Sequence, residues 1–482
     1  MIREPLIFEI SDKGKRAFRL PKLDVPYDKD VLKDYPARTE VEGFPQVSEV
    51  EIVRHFTRLS QQNYCVDLGM YPLGSCTMKY NPKINEKVAG LPSLAGVHPE
   101  APAELAQGCL EVLKQAEEIL GEITGLDGFS LQPAAGAHGE LTGMMLIRAR
   151  HEDRGNPREI VLIPDSAHGT NPSSAHICGY HVQEIKSDEK GEIDVAGLAQ
   201  AMSDKVAALM VTNPNTLGVF EANIKAIADI VHAKGGYVYM DGANMNALTG
   251  VCRPGDMDVD VLHLNLHKTF STPHGGGVPG SGPVGVKKEF LPYLPVPLIV
   301  RKGGDLAFDW NLPKSIGRVK GFFGNFLVIV RALAYIRALG PEGLKEMSEV
   351  AVLNANYIRK SLEGLYHLKY DTPTLHECVF SDKFQKDLGV SNLDIAKRLI
   401  DHGLHPPTMS FPLIVHGALM IEPTETESRR DLDLFIEAMK AIAREAKDDP
   451  DTLHAAPHAS PVRRLDETAA ARNPVLRWTP KK

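Results

Sequence analysis

Four short apolar runs between residues 160 and 264 most constrain what this chain can fold into. Each is too short for a helix, carries β-branched residues and stops at polar or turn residues, the pattern of buried strands. Ile160 to Pro164 runs into Asp165-Ser166-Ala167-His168, and Val206 to Thr212 into Asn213-Pro214-Asn215-Thr216. Tyr237 to Met240 runs into Asp241-Gly242-Ala243-Asn244, and Val259 to Leu264 into Asn265-Leu266-His267-Lys268. Helical patterns, Val195 to Met202 and Ile224 to Ala233, lie between them. Such alternation predicts an α/β domain with a mainly parallel sheet. In such sheets ligands bind beyond the carboxyl ends of the strands. His168, Asn213, Asp241 and Lys268 all fall at those ends. Singly, each is an ordinary turn or cap residue, and Lys268 an ordinary surface lysine after an edge strand. Four convergent polar residues on one edge are hard to explain as caps.

Length and charge bound the rest. At about 100–200 residues per domain, 482 residues with 43% hydrophobic content predict two or three domains. A formal charge of −8 gives no electrostatic case for nucleic acid. No apolar run approaches the ~20 residues of a membrane span. The opening Met1-Ile2-Arg3-Glu4-Pro5 lacks the apolar core of a signal peptide, so a cytoplasmic protein is expected. The six cysteines are scattered without a CxxC pair, which argues against a zinc site and a disulfide framework. No metal is expected.

Residues 1–80 are expected to form an N-terminal arm and a loop, with one helix over Ser48 to Ser60 started by a Ser48/Glu51 capping box. The loop, Gly69 to Pro82, is dense in turn residues yet carries Tyr71, Cys76 and Tyr80; it reads equally as a structural connection or an active-site wall. Residues 81–325 form the large domain, with helices over Pro102 to Ile123 and Leu141 to Arg150. Ala135, Gly136 and Ala137 open the second of these; small residues at a helix start let backbone N–H groups approach an anion, and a monophosphate is the expected guest. After Lys268 comes a loop with Gly275, Gly276 and Gly277. Residues 326–448 form a smaller α+β domain, entered by a long helix from Phe326 to Leu339 and a joint at Pro341-Glu342-Gly343. Its expected strands are Tyr366 to Tyr370, Glu377 to Phe380 and Leu419 to Glu422; His405 to Pro412 reads as a stiff loop. Residues 449–482 are expected to be an extended tail, disordered or docked on a partner.

Pyridoxal phosphate makes specific demands: a lysine for a Schiff base, backbone N–H groups for its phosphate, an acidic partner for its ring nitrogen and a flat neighbour for its ring. Lys268, Gly136 with Ala137, Asp241 and His168 supply these in order, with Lys268 one strand beyond Asp241.

Longer stretches carry a resemblance. They are YPLGSCTMKYNP at 71–82, QPAAGAHGE at 132–140, DSAHGTNP at 165–172, TNPNTLGVFE at 212–221, MDGANMNA at 240–247, LNLHKTFSTPHGGGVPGSGPVG at 264–285, PTMSFP at 407–412 and EPTE at 422–425. In these the chain resembles the P-protein family of the glycine cleavage system, and more broadly the aspartate-aminotransferase-like (fold type I) pyridoxal-phosphate enzymes. The resemblance implies pyridoxal 5'-phosphate as a covalent aldimine on Lys268, with His168 and Asp241 as the other catalytic residues. It implies that Asn213 reaches the ring hydroxyl, that Ala243 packs on the ring face opposite His168, and that Asn265 and His267 help hold the phosphate. It further implies glycine as substrate and a lipoyl group supplied by a partner H-protein. The chain resembles only the second half of the longer family members, which implies a subunit 1 and an assembly of two copies of each. Another fold type I reaction (an amino-acid decarboxylase, desulfurase or aldolase) or a non-catalytic scaffold remains the alternative; a scaffold needs neither Lys268 nor Asp241.

Overall fold

The computed structural model describes residues 3–28, 30–31, 33–36, 41, 43–274, 280–322 and 324–479. The glycines Gly275, Gly276 and Gly277 lie outside the described residues. The chain divides into two compact units, one of residues 1–68 with 458–482 and one of residues 69–457.

The larger unit is built on a seven-stranded sheet. In chain order its strands are β1 (Gly128–Ser130), β2 (Ile160–Pro164), β3 (His181–Ile185), β4 (Val206–Thr212), β5 (Tyr237–Gly242), β6 (Val261–Leu264) and β7 (Val284–Val286). Their spatial order is β1-β7-β6-β5-β4-β2-β3. All neighbours pair in parallel except β7, which runs against both β6 and β1. Strands β4 and β5 are buried along their whole length, which is why they read as unbroken apolar runs. Helix Gly136–Asp153 packs against the sheet face that carries Tyr239 and Val261; Gly143 sits so close that a Cβ there would lie 2.4 Å from the Tyr239 ring. The other face belongs to a separate core that includes Leu113, Leu120, Leu209, Ile227, Val238 and Leu262.

The helix expected from Pro102 begins later, at Gln107, after a short 3-10 turn, and ends at Gly125 in the left-handed region (φ 71°). A β8–β9 hairpin follows the sheet (Leu298–Lys302, Asp305–Asp309). The helix from Phe326, expected to end at Leu339, is broken at Gly340 (φ 64°, ψ −176°), just before the expected joint, but helix resumes at once and reaches Leu362. Beyond it lies a three-stranded antiparallel sheet of β10 (Cys378–Ser381), β11 (Thr408–Met409) and β12 (Ala418–Ile421), ordered β10-β12-β11. Helices Asn392–Asp401 and Arg429–Asp448 cover it through Ile395, Leu399, Phe435 and Met439. The expected strand from Tyr366 to Tyr370 is not formed. Tyr366 is instead a core anchor whose hydroxyl donates to the Met439 carbonyl at 2.9 Å, and only isolated bridges touch residues 366 and 367. The third strand comes from the stretch read as a stiff loop.

In the smaller unit, helix Glu49–Gln61 is capped as expected: Glu51 N–H donates to Ser48 Oγ and Ser48 N–H to the Glu51 carboxylate. Glu4 pairs with His55 and Arg58, and Phe8 stacks on Trp478 at 4.7 Å. The arm and the tail, each without a core of its own, meet each other. Helices Pro450–Ala455 and Glu467–Arg472 interrupt the stretch expected to be extended.

Candidate active site

The carboxyl edge of the large sheet is assembled by register. Thr212 pairs with Asp241, Asp241 with His263, and Gly242 with Leu264, so the ends of β4, β5 and β6 lie side by side. Asp241 is buried, yet its hydrogen-bond donors and the neighbouring cations favour the ionised form. Its Oδ1 accepts from the Ala243 N–H at 2.9 Å and lies 3.3 Å from His263 Nε2; its Oδ2 accepts from Asn171 Nδ2 at 3.1 Å. Burial works against the charge, but His263, Lys268 and these donors outweigh it and hold the carboxyl below its ordinary range. Behind it, His263 Nδ1 and the Tyr239 hydroxyl are 2.6 Å apart.

Lys268 follows the end of β6. Its backbone N–H donates to the Asn265 carbonyl at 3.0 Å, closing a turn, and its Nζ donates to the Ser75 carbonyl at 2.8 Å. Its charge lowers the carboxyls of Asp241, Glu377 and Glu422 and depresses the neighbouring imidazoles. Burial, then His274 and Lys268, bring His267 down to about 3; burial, then Lys268, bring His274 to about 4. Both rings are therefore neutral. His267 Nδ1 accepts from the Ser281 N–H at 3.2 Å.

The residues fit pyridoxal phosphate. Helix Gly136–Asp153 starts at Ala135, which makes no side-chain cap bond, so its first-turn N–H groups point outward at a positive helix end. A Cβ at Gly136 would lie 2.6 Å from Asn265 Oδ1, so any larger residue would displace the Asn265 amide from the helix start. Asn265 Oδ1 and, beside β4, the buried Asn213 Nδ2 have no partner, and such orphans are costly unless a ligand meets them. Asn213 is held in place through Oδ1, which accepts from the Glu221 N–H at 3.0 Å. Ala243 is buried beside Asp241. Ala137 is exposed on the first helical turn. His168 is exposed, with its ring edge-on to Phe411; Nδ1 meets the Thr170 hydroxyl at 2.8 Å, and that hydroxyl donates to Glu140. Glu140, Asp241 and His263 bring one polar atom each within 4.8 Å of one another. The structure thus gathers Gly136, Asp241, Ala243, Asn265, His267 and Lys268 by direct or electrostatic contact; His168 joins through Thr170 and Glu140.

The sequence reading left the Gly69–Pro82 loop open and gave its residues no contacts. Ser75 and Thr77 stand in the left-handed region (φ 62° and 48°), and both are held there by buried carboxylates, Glu377 and Glu422. Lys79 is buried against Glu425 at 2.8 Å, with Asn246 and Tyr335. Cys76, between the two strained residues, is pushed up to about 11 by burial, with Lys268 opposing, so it is a thiol at neutral pH. The signal that marks Asp241, an acidic residue at the end of a buried strand, also marks Glu422 after β12 and Glu377 before β10.

A sheet of this order with a lysine after β6 and a buried aspartate on β5 defines a fold type I pyridoxal-phosphate enzyme. Among solved structures, a glycine decarboxylase (P-protein) of the glycine cleavage system is similar with a TM-score of 0.71 at 21% identity, covering 86% of this chain and 93% of that one. A cysteine desulfurase from Escherichia coli is similar at 0.59 and 14% identity, covering 81% and 98%. In sequence, residues 20–305 match the family described as "Glycine cleavage system P-protein", and residues 347–460 match "Glycine dehydrogenase, C-terminal domain". Proteins named "Probable glycine dehydrogenase (decarboxylating) subunit 2" are similar from Caldanaerobacter subterraneus (57% identity) and Listeria welshimeri (56%), each alignment covering 98% of both chains. The chain belongs to the P-protein family of the glycine cleavage system.

Proposed function

We propose that this chain is the cofactor-bearing half of a two-subunit glycine dehydrogenase (decarboxylating). Glycine loses its carboxylate as CO2, and its aminomethyl group passes to a lipoyl disulfide of H-protein. Over the reaction one C–C and one S–S bond break, one C–S bond forms, and the freed sulfur takes a proton; the disulfide is the species reduced. Pyridoxal phosphate held by Lys268 supplies the electron sink. Asp241, kept ionised in a buried setting, holds a proton at the ring nitrogen. With the cofactor bound, Asn213 would offer its free amide to the ring oxygen, and His168 and Ala243 would be the residues flanking the ring. The opening turn from Ala135 to Ala137, with Asn265 and His267, binds the phosphate. The carrying observation is Lys268, in the turn just after β6, acting electrostatically on an ionised, triply held Asp241 at the end of the neighbouring β5.

Subunit 1 is the proposed partner, two copies of each subunit forming the assembly, with glycine and the lipoyl-bearing H-protein as substrates. Exposed apolar side chains along the arm, among them Phe18, Leu20, Tyr27 and Phe44, support an interface there. Six free thiols suit a cytoplasmic setting. Within residues 69–457 we place the division between large and small domains at 325/326. Glycine-dependent CO2 exchange with lipoylated H-protein tests the reading. Activity is expected once subunit 1 is added and weak from this chain alone. An assembled, cofactor-loaded enzyme inert toward glycine would contradict it.

A further inference from the structure

Beneath the loop that meets Lys268 lies a group of titratable side chains that the reaction above does not use. Glu377 precedes β10 and Glu422 follows β12; the strands pair Cys378 with Ile421, which puts the two glutamates opposite each other. His376, Glu377 and Glu422 are wholly buried, and one polar atom of each lies within 4.8 Å of the others. Two carboxylates that close, out of reach of water, cannot both ionise.

The hydrogen bonds assign the proton. Both oxygens of Glu422 are committed as acceptors: Oε1 from the Thr77 hydroxyl at 2.5 Å and Oε2 from the Thr77 N–H at 2.9 Å. Glu377 uses only Oε2, which accepts from the Ser75 N–H at 2.8 Å, and its Oε1 has no donor. That oxygen lies 3.9 Å from His376 Nε2, and neither nitrogen of His376 has a partner. We infer that Glu377 and Glu422 share one proton, resident on Glu377 Oε1, and act as positioning residues that fix the Ser75–Thr77 turn whose carbonyl receives Lys268.

Burial and then Glu422 push Glu377 well above the carboxylate range, against the Ser75 N–H and Lys268. Burial raises the Glu422 carboxyl as well, but there the two Thr77 donors, Lys268 and Lys79 oppose it. Burial, then Lys268, bring His376 down to about 3, so it adds no charge. The charged and titratable groups facing the pair are Lys268, Lys79 with its partner Glu425, and the thiols of Cys76 and Cys378. One negative charge on the pair therefore faces two lysines. Ser75 and Thr77 hold a backbone conformation that non-glycine residues rarely adopt, and the two carboxylates are what keep them there. The turn aims the Ser75 carbonyl at Lys268 Nζ.

This rests on Lys268 as the cofactor lysine, so the first test is made without cofactor. Infrared difference spectra of the full chain at neutral pH, wild type minus Glu377→Gln or minus Glu422→Gln, should show the D2O-sensitive stretch of a protonated carboxyl group. Either glutamate left alone ionises opposite Lys268. Absence of that band in both difference spectra would overturn the shared proton, whatever the cofactor does. With cofactor and subunit 1 present, Glu422→Gln should lower glycine exchange at least tenfold more than Glu377→Gln, since an amide replaces the neutral acid without loss of the Ser75 acceptor. The double variant removes the pair's charge and should lower the pH midpoint of the cofactor's visible absorbance by at least one unit. Equal losses from the two single variants, or an unmoved midpoint in the double, would overturn the assignment. Should Glu422→Gln not fold, Thr77→Val removes one of the Glu422 donors and should itself lower exchange; wild-type exchange from it would count against the turn.

Discussion

The two walls around Lys268 are built in opposite ways. On one side, Asp241 and His263 stand on neighbouring parallel strands, and their side chains are placed by sheet register. On the other, Ser75, Thr77 and Lys79 lie in a loop without regular structure, held by Glu377, Glu422 and Glu425 from more than 300 residues away in the sequence. The first wall is rigid because the backbone is, and one carboxylate tunes the chemistry. The second is rigid only because buried charges and hydrogen bonds over-determine a strained turn. Substitutions in the first should therefore hurt reactivity more than stability, and in the second stability first.

Lys268→Ala is the largest expected effect and belongs to neither wall. It should abolish the cofactor's visible absorbance and cut glycine exchange at least a thousandfold, about 4 kcal/mol of barrier. Retained absorbance with retained turnover would break the comparison at its centre.

Lys79→Ala tests the loop wall. Burial pulls the ammonium's pKa down, yet Glu425 at 2.8 Å keeps it paired, and removing it leaves a carboxylate without its cation. Loss of one partner of a buried pair costs about 3–5 kcal/mol, so a large drop in the denaturation midpoint is expected. A change below about 1 kcal/mol would mean that the loop does not depend on this pair.

Asp241→Asn tests the sheet wall. The amide keeps the shape and loses the charge. Exchange should fall at least tenfold, about 1.4 kcal/mol, with the thermal midpoint shifted less than by Lys79→Ala. A stability loss larger than that of the loop variant would reverse the comparison.

A smaller effect appears with pH in the cofactor-free chain. His267, His274 and His376 are depressed to about 3, 4 and 3 by burial, with Lys268 contributing to each. The unfolded chain binds protons at these sites near 6.5 while the folded chain does not. Their stability is thus fully present above that pH and is lost as pH falls toward the folded values, with a slope of about 1 kcal/mol per pH unit for each histidine. Thermal melts from pH 7 to 5 should show a falling midpoint, and His376→Gln should flatten the slope. A midpoint that rises on acidification would show that these rings are charged when folded.

What the sequence disclosed follows the same division. Strands β2, β4, β5 and β6 were legible because buried parallel strands are unbroken apolar runs, and their polar ends therefore marked Asn213, Asp241 and Lys268. The capping box at Ser48 and the joint beginning at Pro341, one residue after the break at Gly340, were legible because they are local. The pairing of Glu377 and Glu422 with the loop was not, since nothing local in the loop records that its N–H groups will find carboxylates in a different sheet. Tyr366 misled for a related reason: its apolar run serves a core anchor rather than a ladder. His263 hid inside a strand, where its pairing with Asp241 depends on register.

Borohydride reduction of the purified chain loaded with pyridoxal phosphate, followed by peptide mass analysis, tests the central claim most directly. Reduction should fix a phosphopyridoxyl group stably to the one peptide containing Lys268, and to no other lysine at comparable yield. A group fixed on Lys79 or on surface lysines, with the Lys268 peptide unmodified, would contradict the account.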